Sequence, residues 1–217
     1  MEIGAGSGVF ITQLISAGLA PSQIVVTEYS TTALSQLMAL GVSVESVDFR
    51  LGVKGGPFRV IALFQTLEHL GNLDDVIIAL SRLATNDAEA FISVPNVAHI
   101  DWSQENLGII DMPPNHITAF SQEGLSALFL RQGWQTENIK LQRFDSLLSR
   151  FKNGAMRGLS YPSSTSQELL SALNKKLSPR IGEVSLILCA FFVVLTNWSL
   201  MRKLPPENIY LHASRIS

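Results

Sequence analysis

The first eight residues constrain the fold more strongly than any other segment. Gly4, Gly6 and Gly8 alternate with other residues, behind the acidic Glu2 and ahead of apolar residues at helical spacing. Because glycine lacks a Cβ, such a backbone can turn sharply from a strand into a helix and approach a ligand closely. The following helix then directs its free amide groups at that ligand. The segment therefore predicts a nucleotide-binding strand–turn–helix.

Apolar runs alternate with helical patterns along the chain. Strands are predicted at residues 1–3, 24–28, 42–48, 58–64, 90–94, 134–141 and 208–213. Helices are predicted after Gly8, from Ser30 to Gly41, from Asn72 and from Ser121, with Ser30 and Asn72 expected to cap the second and third of them. Residues 96–120 lose this periodicity and are predicted to form a long loop on the ligand-binding side. This order of elements predicts an α/β fold with a mostly parallel sheet.

Acidic residues end the second and third predicted strands. Glu28 lies about 20 residues beyond Gly8, where nucleotide-binding α/β folds place a carboxylate for the ribose hydroxyls. Asp48 ends the next strand. Because the carboxyl ends of parallel strands meet at one edge of the sheet, we expect both acids beside the glycine turn.

Two motifs resemble those of a known family. The pattern Glu-x-Gly-x-Gly-x-Gly, here Glu2, Gly4, Gly6 and Gly8, resembles the first motif of class I S-adenosylmethionine-dependent methyltransferases. Residues 64–70, Phe-Gln-Thr-Leu-Glu-His-Leu, resemble the Leu-Glu-His segment of small-molecule methyltransferases related to the ubiquinone-pathway enzymes. Residues 113–121 and 208–211 resemble the pre-helix loop and last strand of the same superfamily. The resemblance covers residues 1 to about 142 in the expected order.

The resemblance implies a fold, a cofactor and a reaction. The fold is a seven-stranded Rossmann-like sheet with an antiparallel last strand, the cofactor is S-adenosylmethionine, and the reaction is methyl transfer to a small or lipophilic acceptor, with oxygen as the expected acceptor atom. The resemblance implies that the Glu28 carboxylate accepts hydrogen bonds from both ribose hydroxyls of the cofactor. It also implies that Asp48 accepts a hydrogen bond from the adenine amino group. The other implied cofactor-binding residues are Glu2, Gly4, Gly6, Gly8, Tyr29, Phe49, Gln65 and Leu67.

Two histidines are candidates for a catalytic base. His69 and His116 are chosen because imidazole changes its charge near neutral pH. Either could instead serve only in packing or in a hydrogen bond to the backbone. The acidic residues are not grouped as an oxygen-ligand set, so we expect a site without a metal.

The segment before the last strand differs in character from the rest. Residues 184–201 carry no formal charge, and their length approaches the roughly 20 residues that cross a bilayer. Contact with a membrane surface, a full span, and a buried or dimer-forming helix remain open alternatives. We expect a cofactor-binding core at 1–142, an apolar helical insertion at 143–206, and the last strand and tail at 207–217. We also expect upstream residues to complete the truncated first strand, because a strand is usually about five residues long.

The charge and cysteine content of the chain limit its expected partners and cellular compartment. Lys and Arg number 16 against 18 Asp and Glu, a formal net charge of −2, so no basic field is expected to bind nucleic acid. The single cysteine, Cys189, excludes an intrachain disulfide and fits a reducing compartment. We therefore expect a cytoplasmic protein, peripheral on a membrane if residues 184–201 contact one, and the oligomeric state stays open.

Two other functions are alternatives to methyl transfer. A nicotinamide-dependent oxidoreductase is disfavoured because Val9 stands where a dinucleotide-binding turn needs glycine or alanine. The other alternative is a membrane-associated, methyltransferase-like fragment that has kept the fold and lost activity.

Overall fold

The computed structural model describes residues 1–107, 116–142 and 205–216. Its strands are β1 (Glu2–Ile3), β2 (Val25–Thr27), β3 (Ser43–Glu45), β4 (Phe58–Phe64), β5 (Ala84–Pro95), β6 (Trp134–Leu141) and β7 (Asn208–Arg215). Its α-helices are α1 (Val9–Ser16), α2 (Thr31–Ala39), α3 (Leu73–Leu83), α4 (Val97–Leu107) and α5 (Gln122–Arg131). Short 3₁₀ helices at Pro21–Gln23, Phe49–Leu51 and Leu67–His69 complete the described elements.

The strands form one seven-stranded sheet in the order β3-β2-β1-β4-β5-β7-β6. β1 to β5 pair in parallel, and β7 runs antiparallel to both β5 and β6. This confirms the predicted α/β sheet with an antiparallel last strand. The chain winds outward in opposite directions from β1 and β4, so a crevice opens between the carboxyl ends of these two strands.

The hydrophobic core explains why these segments fold as they do. α3 buries Val76, Ile77 and Leu80, which lie on one helical face, in the larger cluster that includes Ile61 of β4. All three residues of β2 are buried, and β4 buries Ile61, Ala62 and Leu63, as expected for parallel strands covered on both faces. A smaller cluster joins Ile11 of α1 and Leu37 of α2 to the sheet, together with Val26 of β2.

Three local expectations were wrong. Residues 97–107, predicted as loop, form helix α4; this stretch contains no glycine or proline, and its weak apolar periodicity hid it. β5 begins at Ala84, six residues earlier than expected from the apolar run at 90–94. Ser30 and Asn72 stand at helix N-cap positions without a capping side-chain bond, whereas the Ser121 hydroxyl does accept from the Gly124 amide at 3.0 Å.

The chain divides into two compact units. The first contains residues 1–97, 112–142 and 208–217, and the second contains 98–111 and 143–207. The described part of the second unit is residues 98–107 and 205–207, where His99 Nδ1 lies 3.1 Å from the Pro205 carbonyl oxygen.

Residues 184–201 lie outside the described residues, as does nearly all of the predicted insertion at 143–206. Within the described part of the chain, no helix has the length and apolar character needed to cross a membrane. The expected boundaries at 142 and 206 and the membrane contact stay predictions.

Candidate cofactor-binding site and active site

The three glycines of the turn between β1 and α1 all have positive φ, but their surroundings differ. A Cβ on Gly4 would lie 2.5 Å from Thr66 Oγ1, and one on Gly8 would lie 2.9 Å from Leu37 Cδ2. At Gly6, where φ is +52°, a Cβ would meet no heavy atom within 4 Å. The turn is therefore tightly packed at both ends and open in the middle, which leaves space for a ligand against the Gly6 backbone.

Glu28 follows β2 and is held beside this opening by the backbone. One carboxylate oxygen accepts from the Gly6 amide at 2.7 Å, and the other accepts from the amides of Tyr29 and Ser30 at 2.7 and 2.9 Å. Partial burial would raise the pKa of Glu28, but these three amide bonds outweigh it and lower the pKa below the usual glutamate value. Glu28 is therefore an oriented, ionised acceptor at neutral pH.

Glu2 lies in β1, where only 4% of it is exposed. One of its carboxylate oxygens has no hydrogen-bond partner. Burial raises the pKa of Glu2 to about 7, opposed by the nearby amino group of Met1 and reinforced by the negative charge of Glu28. The first residue of the glycine motif is thus a carboxyl group close to its protonation midpoint at neutral pH.

Asp48 lies beyond the end of β3 at Glu45, at the start of the 3₁₀ helix Phe49–Leu51, and Arg50 binds its carboxylate. The Arg50 guanidinium donates to both Asp48 oxygens at 2.7 to 3.0 Å, and the Arg50 amide adds a bond at 3.0 Å. These hydrogen bonds lower the pKa of Asp48 against the opposing effect of desolvation. Tyr29, largely exposed, is close enough to Asp48 to feel its charge, which adds to desolvation in raising the pKa of the Tyr29 phenol.

The segment after β4 lies at the other side of the crevice. Gln65 has φ +53°, a left-handed conformation that is uncommon outside glycine. Its side-chain amide donates to Ser93 Oγ at 3.2 Å and to Asn208 Oδ1 at 3.4 Å. Gln65 therefore links the carboxyl end of β4 to β5 and β7. Such strained backbone often marks a functional site.

Phe49 and Leu67 have buried side chains in the main hydrophobic cluster. Only their backbone groups can therefore face a cofactor, and their side chains serve to anchor the 3₁₀ helices in which they lie.

The two candidate bases come together. The rings of His69 and His116 have centroids 4.9 Å apart, and ligand atoms of both lie within 4.8 Å of a carboxylate oxygen of Glu68. Glu68 is fully buried, His69 is exposed, and His116 is half-buried. The Glu68 carbonyl oxygen accepts from the amides of Ile117 and Thr118 at 2.8 and 3.2 Å, which holds the two segments in place.

Two residues important to the site were missed in the sequence. Thr66 fills the space against Gly4, and its hydroxyl lies 3.2 Å from the carbonyl oxygens of Ile3 and Phe64. Arg50 occupies the carboxylate of Asp48. The i, i+2 spacing of Asp48 and Arg50 could have suggested their pairing, but no local signal identifies Thr66, because its partner is 62 residues away.

A family model described as a methyltransferase domain matches residues 1–139, more than half of the chain. The chain belongs to this methyltransferase family. This confirms the class I S-adenosylmethionine-dependent methyltransferase resemblance, and it removes the support for a nicotinamide-dependent oxidoreductase.

Solved structures share the fold of this methyltransferase. An S-adenosylmethionine-dependent methyltransferase from Archaeoglobus fulgidus has a TM-score of 0.61 at 14% identity, covering 99% of this chain and 84% of that one. One from Mesorhizobium loti has a TM-score of 0.57 at 10% identity, with coverage of 99% and 89%. Phosphoethanolamine N-methyltransferase 2 of Haemonchus contortus, solved with S-adenosyl-L-methionine, has a TM-score of 0.57 at 12% identity, with coverage of 100% and 48%. At such identities the likeness establishes the fold alone. A search of curated proteins finds no match.

The cofactor of the methyltransferase is S-adenosylmethionine, as its family requires. The site's residues fit this group, because the opening at Gly6 would be filled by any Cβ and an ionised carboxylate stands next to it.

Proposed function

We propose that this methyltransferase transfers the methyl group of S-adenosylmethionine to an oxygen atom of a small or lipophilic acceptor. The observation that carries the proposal is the open glycine backbone beside an oriented carboxylate, with the imidazole of His69 after β4 and that of His116 next to it. The net charge of −2 gives no general attraction for a nucleic-acid acceptor.

Glu28 and Gly6 would hold the two arms of the cofactor. The three amide bonds use three of the roughly four lone-pair sites of the Glu28 carboxylate, so the oxygen bonded to the Gly6 amide keeps one site for a ribose hydroxyl. For Glu28 to accept the second ribose hydroxyl as well, one of these amide bonds has to be given up. The amino-acid arm would lie over the bare backbone at Gly6, where no side chain intervenes. Glu2, Gly4 and Gly8 would shape this turn, while Gln65 would border the crevice on the other side.

Asp48 is a less direct adenine contact than the sequence predicts. A carboxylate has about four lone-pair sites, and Arg50 fills both oxygens through its guanidinium and amide. For Asp48 to bind the adenine amino group, one of these Arg50 bonds has to be given up. Tyr29 and the backbone of Phe49 are the neighbouring groups that remain available to adenine.

For methyl transfer to oxygen, the protein has to align the acceptor hydroxyl with the methyl group and remove the hydroxyl proton. When bound, the cofactor supplies a sulfonium methyl group that is already activated. An acceptor hydroxyl has to be aligned with that methyl, shielded from water and deprotonated as its oxygen bonds to the carbon and the carbon–sulfur bond breaks towards sulfur. His69 or His116 would take the proton, because each offers a ring nitrogen at the sheet edge that carries the glycine turn. A lipophilic acceptor is included because residues 184–201 are strongly apolar.

Cofactor binding tests the first part of the proposal. We expect calorimetry to detect S-adenosylmethionine binding by the wild type and no binding of NADH. Glu28→Gln keeps the side-chain shape and removes the charge, and should weaken binding about 10- to 100-fold. Glu45→Gln, at the end of β3, is the matched control and should bind as the wild type does. Equal affinity for both variants would contradict the role of Glu28, and no binding by the wild type would favour the alternative of a fold without activity.

Transfer to oxygen is tested with methyl-labelled cofactor. Acceptors of matched size that carry a phenol, an alcohol, a carboxylate or an amine are offered singly, with and without a prenyl chain. We expect label on an oxygen-bearing acceptor, located by mass spectrometry of the product. Label on amines alone would overturn the choice of acceptor atom and leave the methyltransferase activity intact.

A further inference from the structure

We propose that Glu68, His69 and His116 form a binding site for one Zn²⁺ ion. Each side chain offers one ligand atom, and the three ligand atoms lie within 4.8 Å of one another. Two imidazole nitrogens and one carboxylate oxygen are a ligand set that zinc enzymes use, with a fourth position open. Among the described residues, this is the cluster of histidine and acidic side chains able to enclose a metal ion.

The supporting backbone gives the site a defined shape. Glu68 and His69 are adjacent in the 3₁₀ helix that follows β4, and His116 precedes the segment bound to the Glu68 carbonyl through the amides of Ile117 and Thr118. Two segments separated by more than 40 residues are thus fixed side by side. A ligand set on a supported backbone needs little ordering when the ion binds.

Burial gives the site a closed side and an open side. Glu68 is 0% exposed, which makes a carboxylate costly unless positive charge faces it. His69 is exposed and His116 is half-buried. A divalent cation would compensate the buried charge and leave its remaining coordination position towards solvent, the arrangement of catalytic and not of structural zinc sites.

The distances require a modest closure. Tetrahedral zinc with ligands at about 2.1 Å places ligand atoms about 3.4 Å apart, and the widest separation here is within 4.8 Å. His69 is the exposed member of the three, and ion binding would exchange its present contacts for the ion. Rotation of His69 towards the other two ligands would complete the set.

The role of such an ion rests on the proposed function. A hydroxyl bound at the open position loses its proton more readily, because zinc lowers the pKa of bound water to about 7. His69 and His116 would then act on the acceptor through the ion, and the hydroxyl proton would pass to solvent. Metal binding itself needs neither cofactor nor acceptor, so it can be tested apart from methyl transfer.

The test is titration of the metal-free full chain with Co²⁺, followed by its visible absorption, and displacement by Zn²⁺. We expect one ion per chain. His69→Gln and His116→Gln should each weaken binding by at least about 100-fold, more than the loss of a supporting residue around a metal. His212→Gln is the matched control, because His212 also lies beside a carboxylate, Glu89, at 3.2 Å, but with no second imidazole in the pair described.

The variants separate the possible outcomes. No stoichiometric binding by the wild type would overturn the proposal and leave a cluster that only joins the two segments. Binding that persists in both His69→Gln and His116→Gln would overturn it as well. The metal titration of Glu68→Gln is interpreted only if circular dichroism shows that this variant folds. Cobalt binding without S-adenosylmethionine binding would contradict the proposed function and not the metal site, and the reverse result would contradict the metal site alone.

Discussion

Gly6 is the residue at which backbone conformation and ligand access coincide. Its φ of +52° costs an alanine roughly 1 kcal/mol, and an added Cβ would project into otherwise open space. We expect Gly6→Ala to lower stability slightly and to weaken S-adenosylmethionine binding at least about 10-fold, because the methyl group would occupy the ligand's space. Urea unfolding and calorimetry measure the two effects.

Gly133→Ala is the matched control for this variant. Gly133 also has a positive φ, +78°, and open space at its Cβ position, but it lies after α5. The control should show a similar stability loss with unchanged affinity. Equal loss of affinity in both variants would mean that backbone strain, and not occupied space, impairs binding.

Glu2 predicts an unusual dependence of stability on pH. Its pKa rises from 4.5 to about 7 on folding, mainly through burial, so the folded chain binds more protons than the unfolded chain between these values. The stabilising effect is complete below about pH 4.5 and is lost as the pH rises through 7. We expect Glu2→Gln to be more stable than the wild type at pH 8 by about 1 to 3 kcal/mol, and similar at pH 4.5.

Urea unfolding at several pH values measures this difference. Glu105→Gln, which changes an exposed glutamate on α4, should leave the wild-type pH profile unchanged. A profile for Glu2→Gln parallel to that of the wild type would show that Glu2 is ionised at little cost in the folded chain.

At the residue scale, the spacing in the sequence predicts that Glu28 lies beside the glycine turn, but not which atoms meet there. The glycine motif and Glu28 have a recognisable spacing, so their proximity could be inferred. The bond from Gly6 to Glu28 and the capture of Asp48 by Arg50 depend on side-chain directions that spacing does not specify. The assembly of His116 with Glu68 and His69 also escaped prediction, because it depends on how a distant loop returns to the sheet.

At the scale of elements, Trp134 joins β6 to α3. Its ring is fully buried, its Nε1 donates to Ser81 Oγ at 2.8 Å, and it meets Phe129 edge to face with centroids 6.4 Å apart. We expect Trp134→Phe to lower the free energy of unfolding by about 1 to 3 kcal/mol, through lost packing and the lost hydrogen bond. Urea unfolding followed by circular dichroism measures the change.

A double-mutant cycle separates these two causes. In a Ser81→Ala background the hydrogen bond is already absent, so Trp134→Phe should cost about 1 kcal/mol less than in the wild type. Equal costs in the two backgrounds would assign the whole effect to packing.

Elements with strong local signals were the ones predicted well. The strands Phe58–Phe64 and Trp134–Leu141 match the expected bounds because turn residues flank clear strand patterns. β5 begins as early as Ala84 because that residue pairs with Phe58 of β4; the polar residues 85–87 then lie in a register shift, and regular pairing with both β4 and β7 starts at Glu89. α4 was not predicted because its sequence has no apolar stripe at helical spacing, although it contains no glycine or proline that would disfavour a helix.

At the scale of the whole molecule, β7 connects β6 to β5 and so to the parallel strands of the sheet. Leu211 pairs with Ile92 of β5 on one side and Ile139 of β6 on the other, and it is almost fully buried. We expect Leu211→Ala to lower the free energy of unfolding by about 2 to 5 kcal/mol. Tyr210→Ala, on the exposed face of the same strand, should cost about 1 kcal/mol or less.

Chemical unfolding of both variants compares the two faces directly. A cost for Tyr210→Ala equal to that for Leu211→Ala would show that strand pairing, and not the buried face, dominates the contribution of β7.

The topology of the sheet was predictable because it depends on the order of strands and helices along the chain as well as on the local hydrophobic pattern. The alternation of strands and helices predicts parallel pairing through β5, and the motif resemblance supplied the antiparallel return of β7. The position of β7 between β5 and β6 could not come from residue patterns alone, because it brings together segments separated by more than 60 residues. The insertion at 143–206 stays a prediction.

The amide bond from Gly6 to the Glu28 carboxylate couples two loops before any ligand arrives. The binding groups for the ribose and for the amino-acid arm would then already be in place, so neither half of the methyl donor has to order the contacts of the other half. Adenosine and methionine should consequently each bind as separate fragments. The covalent link between them would add affinity chiefly because only one molecule, and not two, loses translational and rotational entropy on binding.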